Sequence, residues 1–548
     1  MSGNTAKEIV GNSTTSVHTL SITNTGGITT KLSQLTANSL SISAGSKFTI
    51  DTVKAVAVAT TVTNAAGTSG LFIKSSADRA NGTLIFHNAA ESPVSATVEM
   101  YSKAVATTVV GSTYSNYKWQ FFGVPVRSIV VNPTFNGGYI RKFNEAGSTS
   151  STHWISLYSG SLTPFTGYEI TQPIAKTYTF AGELVNQSFD SGKLTYTTAA
   201  QYPGQHLIGN PYTAAINISD IEFGSSLETV IENSVYLYNT GSLADWTSSG
   251  SGTASVNDSS TPGQYIVIPK NIANRGLGIP GQIPSMGTFL VKAMSDHANA
   301  WVKVAYPANE SGTSLVKNTT LQRSPTLKLP CTRIDVKGAS FGDRMWIFTE
   351  PTCTSGFDNG WDGYKELGTT TAPQIYTVEP VGNFQVNTVD NVHNTKIGFI
   401  AGTGSEYTFT FTHENIESAY STLYLFDSNT GEYKNITQTG TQYTFTSSNT
   451  SPIENRFKIV TAIDQTTKTT IHPNSGLKVY NSQKTIVIQN STVHNGTLEL
   501  YDLSGRIVLV KPFNANAVTR ISTAITAGSY IVKAITKTDK ITLPIVVN

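Results

Sequence analysis

Apolar and polar residues alternate along most of this chain, in short runs that end at Gly, Asn, Ser or Asp. A period of two is typical of β-strands, because successive side chains of a strand point to opposite faces of the sheet. Apolar residues at helical spacing are hard to find in any part of the sequence. The pattern therefore predicts an all-β chain with several domains.

Residues 1–103 contain short segments with apolar residues, and each segment alone is too short to bury a core. They lie at residues 39–42, 47–50, 60–64, 71–75, 83–87 and 97–101, and many are separated by Gly, Asn or Ser. Short rungs of this kind bury apolar surface when they stack on one another. We predict a short β-solenoid-like region here, with an ordinary β-sandwich as the alternative.

Longer alternating runs follow, and aromatic residues become frequent between residues 104 and 310. They include Trp119, Phe121, Phe122, Trp154, Tyr158, Tyr168, Tyr236, Tyr238 and Trp246. Strands of similar length, separated by turn residues, continue from residue 311 to residue 463. Such strands are typical of antiparallel sandwiches and jelly rolls. We predict two β-sandwich (jelly-roll-like) domains, at residues 104–310 and 311–463.

The last part of the chain consists of a polar segment followed by a series of short predicted strands. Residues 464–473 are polar and rich in Thr, which predicts an interdomain linker. Residues 474–548 contain about seven short strands and two hairpin turns, which is typical of an Ig-like fold. We therefore predict a C-terminal Ig-like β-sandwich over residues 474–548.

Composition and charge exclude several classes of protein. The 548 residues carry a net charge of +2, and only 13% are charged. A nucleic-acid-binding protein needs a basic surface, which this balance does not supply. No apolar run reaches the length of a transmembrane helix. The first residues have neither a basic nor an apolar segment, so we expect no secretory signal within this chain.

The two cysteines, Cys331 and Cys353, flank a predicted hairpin. Residues 326–336 and 344–349 form its strands, which would bring the cysteines nearly opposite each other. A disulfide requires such proximity of the two Cα atoms. One bond between Cys331 and Cys353 and a pair of buried free thiols are the two alternatives.

A Gly-rich turn holds the candidate metal ligands Asp358, Asn359 and Asp362. Oxygen ligands at this density suit calcium, but the spacing is not that of an EF-hand loop. Asp and Asn also cap turns by accepting hydrogen bonds from nearby backbone N–H groups. Calcium is the one cofactor that the sequence suggests, and turn capping is the favoured alternative.

No catalytic residues are predicted. Residues 338–342 match a nucleophile-elbow pattern and residues 276–281 match a dinucleotide-binding pattern. Each pattern needs a strand followed by a helix, and neither segment precedes a predicted helix. The nine His residues are scattered, without zinc-ligand spacing. We therefore expect that the chain is not an enzyme.

The C-terminal segment resembles the C-terminal (type A) sorting domain of Bacteroidetes type IX secretion system substrates. The similarity lies in residues 498–508, with the sequence LELYDLSGRIV, and in residues 527–534, with the sequence AGSYIVKA. Several upstream segments also resemble modules that precede such domains in Bacteroidetes surface proteins. The residues that carry the sorting-domain resemblance are Tyr501, Asp502, Leu503, Gly505, Arg506, Gly528, Tyr530, Val532 and Lys533.

The resemblance implies a route and a set of partners. The protein would cross the periplasm and outer membrane to become secreted or attached to the cell surface. Its partners would be the outer-membrane translocon, a shuttle protein and a sortase, with surface polysaccharide or glycan as a further candidate. The linker at residues 464–473 would be the cleavage region, because proteases need an accessible extended backbone.

Three hypotheses remain for the domains ahead of this segment. The first is a non-enzymatic adhesin or structural surface component, and the second is a carbohydrate-binding surface protein. The third is the non-catalytic part of a secreted hydrolase. A row of exposed aromatic rings on one sheet face would favour carbohydrate binding, whereas burial of all six tryptophans would exclude it.

Overall fold

The chain forms two compact units, residues 1–461 and 462–548, each built from β-strands. The structure is a computed structural model. It describes residues 1–11, 13–104, 106–109, 113–117, 119–149, 151–238, 264–307, 329–339, 341–367, 371–448, 450–461, 476–482, 485–502, 505–522 and 528–547. The predicted linker at 464–473 lies outside these residues, as do Trp246 and Leu503.

The predicted all-β class is confirmed. Helical structure in the described ranges is limited to three one-turn 3-10 segments, Gly67–Ser69, Ile218–Asp220 and Ile416–Ser418. No described helix is long and apolar enough to cross a membrane.

The first ten strands stack as a solenoid, as the short runs predicted. Odd-numbered strands form one parallel sheet in the order β1-β3-β5-β7-β9, and even-numbered strands form the other. The strands are β1 (Ser2–Gly3), β2 (Lys7–Ile9), β3 (Thr15–Asn24), β4 (Ile28–Thr30), β5 (Gln34–Ile42), β6 (Phe48–Ile50), β7 (Ala55–Asn64), β8 (Leu71–Ile73), β9 (Thr83–Phe86) and β10 (Ser95–Ser102).

The stacking places apolar residues of successive rungs next to one another. Ile28 lies beside Phe48, and Phe48 lies beside Leu71 on the next rung, all of them buried. Each short strand therefore contributes one or two side chains to a core that runs along the stack. This core continues beyond residue 103, because β19 (Lys176–Glu183) pairs antiparallel with β10 and adds Tyr178 and Phe180.

The next module is a set of small antiparallel sheets. Two four-stranded sheets, in the orders β13-β18-β15-β16 and β21-β27-β24-β25, form its framework. The strands are β11 (Ala106–Val109), β12 (Thr113–Tyr117), β13 (Gln120–Phe122), β14 (Ile129–Val130), β15 (Tyr139–Phe143), β16 (Trp154–Leu157), β17 (Ser161–Leu162), β18 (Tyr168–Thr171), β20 (Phe189–Asp190), β21 (Gln205–Gly209), β22 (Ile216–Asn217), β23 (Glu222–Phe223), β24 (Ser234–Tyr238), β25 (Tyr265–Pro269), β26 (Gln282–Ile283), β27 (Thr288–Lys292) and β28 (Val302–Val304).

The third module is one hydrogen-bonded path of strands that folds back on itself. Its order is β37-β36-β39-β34-β32-β33-β30-β29-β35-β38, with β31 added beside β33. Phe445 on β38 and Phe457 on β39 have ring centroids 4.8 Å apart, although six strands lie between them on the path. The sheet therefore encloses an aromatic core as a sandwich. The strands are β29 (Cys331–Lys337), β30 (Gly342–Thr349), β31 (Gly363–Tyr364), β32 (Gln374–Glu379), β33 (Gly382–Val389), β34 (Lys396–Ile400), β35 (Glu406–Glu414), β36 (Tyr424–Asp427), β37 (Glu432–Asn435), β38 (Gln442–Thr446) and β39 (Ile453–Val460).

The second unit is a seven-stranded sandwich of the predicted Ig-like kind. One sheet has the order β40-β41-β44 and the other has the order β43-β42-β45-β46. Apolar residues such as Val479, Ile488, Leu500 and Val532 fill its own core. The strands are β40 (Leu477–Ser482), β41 (Thr485–Asn490), β42 (Gly496–Tyr501), β43 (Ile507–Phe513), β44 (Ala517–Ser522), β45 (Gly528–Thr536) and β46 (Lys540–Val547).

Candidate functional site

One face of the sheet β13-β18-β15-β16 is lined by aromatic side chains. The strand register brings Phe121 and Arg141 next to Glu169 and puts Phe143 beside Trp154. Because side chains alternate, the opposite face carries Phe122 and other residues of the first core. We call the other face the aromatic face; it carries Trp119, Phe121, Tyr139, Arg141, Trp154 and Tyr158. Two of these rings, Phe121 and Trp154, also pack against the apolar core of the neighbouring four-stranded sheet.

Arg141 lies at the centre of the aromatic face. Its guanidinium carbon is 3.8 Å from the ring centroid of Trp119 and 5.4 Å from that of Trp154. Both distances fall within the range of cation–π attraction. Arg141 also forms an ion pair with Glu169, whose side chain is only 3% exposed. Burial raises the pKa of the Glu169 carboxyl to about 8, and the Arg141 charge opposes that rise.

The aromatic face is accessible to solvent along part of its length. Tyr158 is 75% exposed, and its ring is stacked near that of Tyr139 with an interplanar angle of 21°. Trp119, Tyr139 and Trp154 are half-buried. At the other end, Phe121 stacks on Tyr238 at 4.6 Å. Half-buried rings hold their orientation while they offer an apolar surface to a ligand.

The tryptophans do not meet the condition that would exclude carbohydrate binding. Of the five that the structure describes, only Trp346 is buried. A ring fixed by neighbouring rings loses little entropy when a flat apolar surface stacks on it. Arg141 and Ser156 supply polar groups near these rings. The arrangement is suited to a ligand with apolar faces and polar edges.

The described residues that carry the sorting-domain resemblance occupy four kinds of position in the second unit: its core, an outer sheet face, the start of a strand and a hairpin turn. Tyr530 and Val532 are in the core, whereas Tyr501 and Lys533 both contact Glu499 on the outer face of the sheet. Gly528 begins β45.

Asp502, Gly505 and Arg506 form the hairpin turn between β42 and β43. The Asp502 carboxylate accepts hydrogen bonds from the Arg506 backbone N–H at 3.0 Å and from its guanidinium at 3.1 Å. Gly505 has φ +83°, a conformation that favours glycine. These residue types therefore stabilise the turn itself, by capping its backbone and by taking positive φ.

The oxygens of the predicted calcium ligands accept hydrogen bonds from backbone N–H groups. Asp362 accepts from Asp358 and Thr388, each at 2.6 Å, and Asn359 accepts from Asn233 at 2.7 Å. Asp358 accepts from Thr354. No group of three or more His, Cys, Asp or Glu side chains that could hold a metal ion occurs among the described residues. The contacts favour turn capping, and calcium binding stays a prediction.

Cys331 and Cys353 are both buried free thiols. The hairpin between β29 and β30 is present, but its register puts Cys331 opposite Phe348 and not opposite Cys353. The disulfide considered from the sequence is therefore not formed in the structure. Burial raises the pKa of both thiols, that of Cys353 to about 12, so both remain protonated at neutral pH.

The sequence singled out the aromatic residues of this module but not Arg141 or Glu169. The sequence signal for Arg141 is the alternation on β15, which places it between Tyr139 and Phe143. Glu169 lies on β18, whose four residues are all buried, so alternation gives no signal there. Strand neighbours that are distant in sequence bring the two charges together.

Comparison with known proteins places the first unit in a family. A family profile described as a domain of unknown function (DUF8693) matches residues 2–461. The chain belongs to this family. The match ends at the boundary between the two compact units.

The chain is also similar in sequence to a fimbrial protein. The chain is 33% identical over 374 residues to the minor fimbrium subunit Mfa5 of Porphyromonas gingivalis. The aligned part is 62% of this chain and 28% of the relative, so the chain spans less than a third of that protein's length.

Proposed function

We propose that the chain is a non-enzymatic structural component of a fimbrial type of assembly on the cell surface. The similarity to a minor fimbrium subunit over 374 residues is the observation that carries this proposal. The stacked and sandwiched β modules of residues 1–461 agree with it, because a structural component needs packed modules and no reaction chemistry. The function of such a chain is to build or present a surface outside the cell.

The proposed export route is the type IX secretion system of Bacteroidetes. Support comes from residues 498–508 and 527–534, which resemble its sorting domain, and from their place in a compact unit with its own core. The translocon, shuttle protein and sortase would recognise this unit. The predicted linker at residues 464–473 would then be the region that the sortase cleaves.

Protease treatment of intact cells tests the surface location. We expect added protease to remove the protein from intact cells while a periplasmic control protein survives, because only exposed chains are accessible. Immunogold labelling should place the protein on filaments or at the outer membrane. Complete protection from protease in intact cells, with cleavage after lysis, would contradict the proposal.

A second candidate function is carbohydrate binding through the aromatic face. The observation that favours it is the set of oriented, partly exposed rings of Trp119, Tyr139, Trp154 and Tyr158 beside Arg141. Sugar rings have apolar faces and hydroxyl edges, so they match both parts of this surface. An adhesive role on the cell surface would combine the two candidates.

Replacing Trp154 or Tyr158 with alanine tests this second candidate. We expect each variant to weaken glycan binding about tenfold, since a central aromatic contact contributes about 1–2 kcal/mol. Binding would be measured on a glycan array and then by calorimetry. Tyr433→Ala on the distant strand β37 is the matched control and should leave binding unchanged. Equal binding by all three variants and the parent chain would remove the aromatic face from the function.

A further inference from the structure

The aromatic face continues beyond Trp154 to a further exposed ring. Trp154 and His153 have ring centroids 6.2 Å apart, and His153 and Tyr202 have ring centroids 5.2 Å apart. Tyr202 is 39% exposed. The Nδ1 atom of His153 lies 3.0 Å from the Thr149 carbonyl oxygen, a hydrogen bond that fixes this ring. We call the aromatic face together with His153 and Tyr202 the aromatic strip.

Contacts between neighbouring side chains link the whole aromatic strip. The ring centroid of Tyr158 is 6.4 Å from that of Tyr139, which is 5.3 Å from that of Trp119. The Arg141 guanidinium then lies between Trp119 and Trp154, at 3.8 and 5.4 Å from their ring centroids. The strip therefore leads without a break from one exposed tyrosine to the other.

The aromatic strip is longer than one sugar ring. Tyr139 and Phe143 are the first and last residues of β15, which puts their Cα atoms about 13 Å apart along the strand. Trp154 lies opposite Phe143 in the strand register, at the far end of β15 from Tyr139. Several sugars of one chain are needed to cover this distance, and Tyr202 adds a further ring.

Solvent borders the aromatic strip on the side of β16. This strand is the last in the order β13-β18-β15-β16, and Ile155 on it is 40% exposed. Tyr158 directly after the strand is 75% exposed. A long chain that lies on the rings can therefore continue into solvent beyond Tyr158.

The rings of the aromatic strip are inclined to one another. The planes of Trp119 and Tyr139 are inclined by 56°, and those of Trp154 and His153 by 55°. A flat crystalline surface would lie on only some of these rings. A single chain can rotate about its glycosidic bonds and meet each ring in turn.

We propose that the aromatic strip binds an internal stretch of a single linear polysaccharide chain, with consecutive sugars on the rings from Tyr158 to Tyr202. This proposal rests on the carbohydrate-binding candidate and names the form of its ligand. Each further sugar adds a stacking contact, whereas the entropy cost of association is incurred once. Stacking supplies the affinity, because the Arg141 guanidinium is already engaged by Glu169 and Trp119.

Binding of neutral oligosaccharides of increasing length tests the proposal. Calorimetry on the full chain would compare disaccharides with hexasaccharides of the cello-, xylo- and manno-oligosaccharide series and of any linear glycan that a glycan array selects. We expect a hexasaccharide of at least one series to bind about tenfold more tightly than its disaccharide. The long polysaccharide of that series should bind as tightly per hexasaccharide segment, because the strip does not require a chain end.

Two alanine variants test the ends of the aromatic strip. Tyr158→Ala and Tyr202→Ala remove rings from opposite ends, and each should weaken hexasaccharide binding about tenfold. Disaccharide binding should change much less, because the remaining rings still offer a place for two sugars. Tyr433→Ala on β37 is the control and should change neither, and circular dichroism checks that all three variants are folded.

The outcomes separate this proposal from the carbohydrate-binding candidate. Equal affinity for disaccharide and hexasaccharide, binding only through chain ends, or hexasaccharide binding that is unaffected by Tyr202→Ala overturns the extended strip but keeps carbohydrate binding. The absence of binding to any saccharide overturns both. A length dependence that is lost in Tyr158→Ala and in Tyr202→Ala and kept in Tyr433→Ala establishes the strip.

Discussion

Deletion of residues 462–548 is expected to leave residues 1–461 folded but trapped in the periplasm. The first unit keeps all of its cores, because the deleted residues form a separate compact unit with its own core. If the second unit is the export signal, the protein at the cell surface should fall to background. Fractionation and surface labelling measure the distribution, and circular dichroism checks the fold.

Two valine substitutions provide a more selective form of this experiment. Val532 is fully buried in the second unit, whereas Val510 on the same sheet is 50% exposed. Val532→Asp buries an unpaired carboxylate, which costs several kcal/mol and should unfold the unit. Val510→Asp should leave it folded.

We expect Val532→Asp to lose surface display and Val510→Asp to keep it. Normal export of the deletion variant would refute the proposed signal. Normal export of a Val532→Asp protein whose second unit is unfolded would show that a short sequence, and not the folded unit, is recognised.

Replacing Asp343 with alanine is expected to lower the free energy of unfolding of the third module by about 3–5 kcal/mol. The Lys365 ammonium lies 2.8 and 2.6 Å from the two carboxylate oxygens of Asp343, and both side chains are almost completely buried. Asp343 also accepts the Ile375 backbone N–H at 2.8 Å. Its removal leaves a positive charge and a donor without partners. Urea denaturation would measure the loss.

Two further variants isolate the role of burial. Lys365→Met together with Asp343→Ala should recover much of the lost stability, because the unpaired buried charge is removed. Asp296→Ala breaks the exposed Lys193–Asp296 pair, with side chains 48% and 65% exposed, and should cost at most about 1 kcal/mol. Equal destabilisation by Asp343→Ala and Asp296→Ala would contradict the argument.

Much of the fold follows from local patterns. The short runs before residue 103 become solenoid rungs, since a strand of three residues buries its apolar side chains only when another rung lies above it. The turn at Asp502 and Gly505 is similarly local: an Asp caps the backbone and a Gly takes positive φ. Neither feature needs information from distant residues.

The candidate sites depend on distant neighbours. The aromatic face joins side chains of β13, β15 and β16, strands that become neighbours of one another or of β18 only in the folded sheet. The pairing of β10 with β19 and the burial of Lys365 against Asp343 also depend on residues that are distant in sequence. Alternation predicts that a side chain faces outward or inward, but not which strand lies beside it.

The sequence alone was therefore sufficient for the strand content, the stacked rungs and the Ig-like C-terminal unit, because backbone alternation and turn chemistry act over a few residues. Three-dimensional packing decided which aromatic rings share a face with Arg141, which charges meet in the core, and that Cys331 lies opposite Phe348 rather than Cys353. Strand register across long connections decides these contacts, and it depends on the combined packing of all the strands in a core.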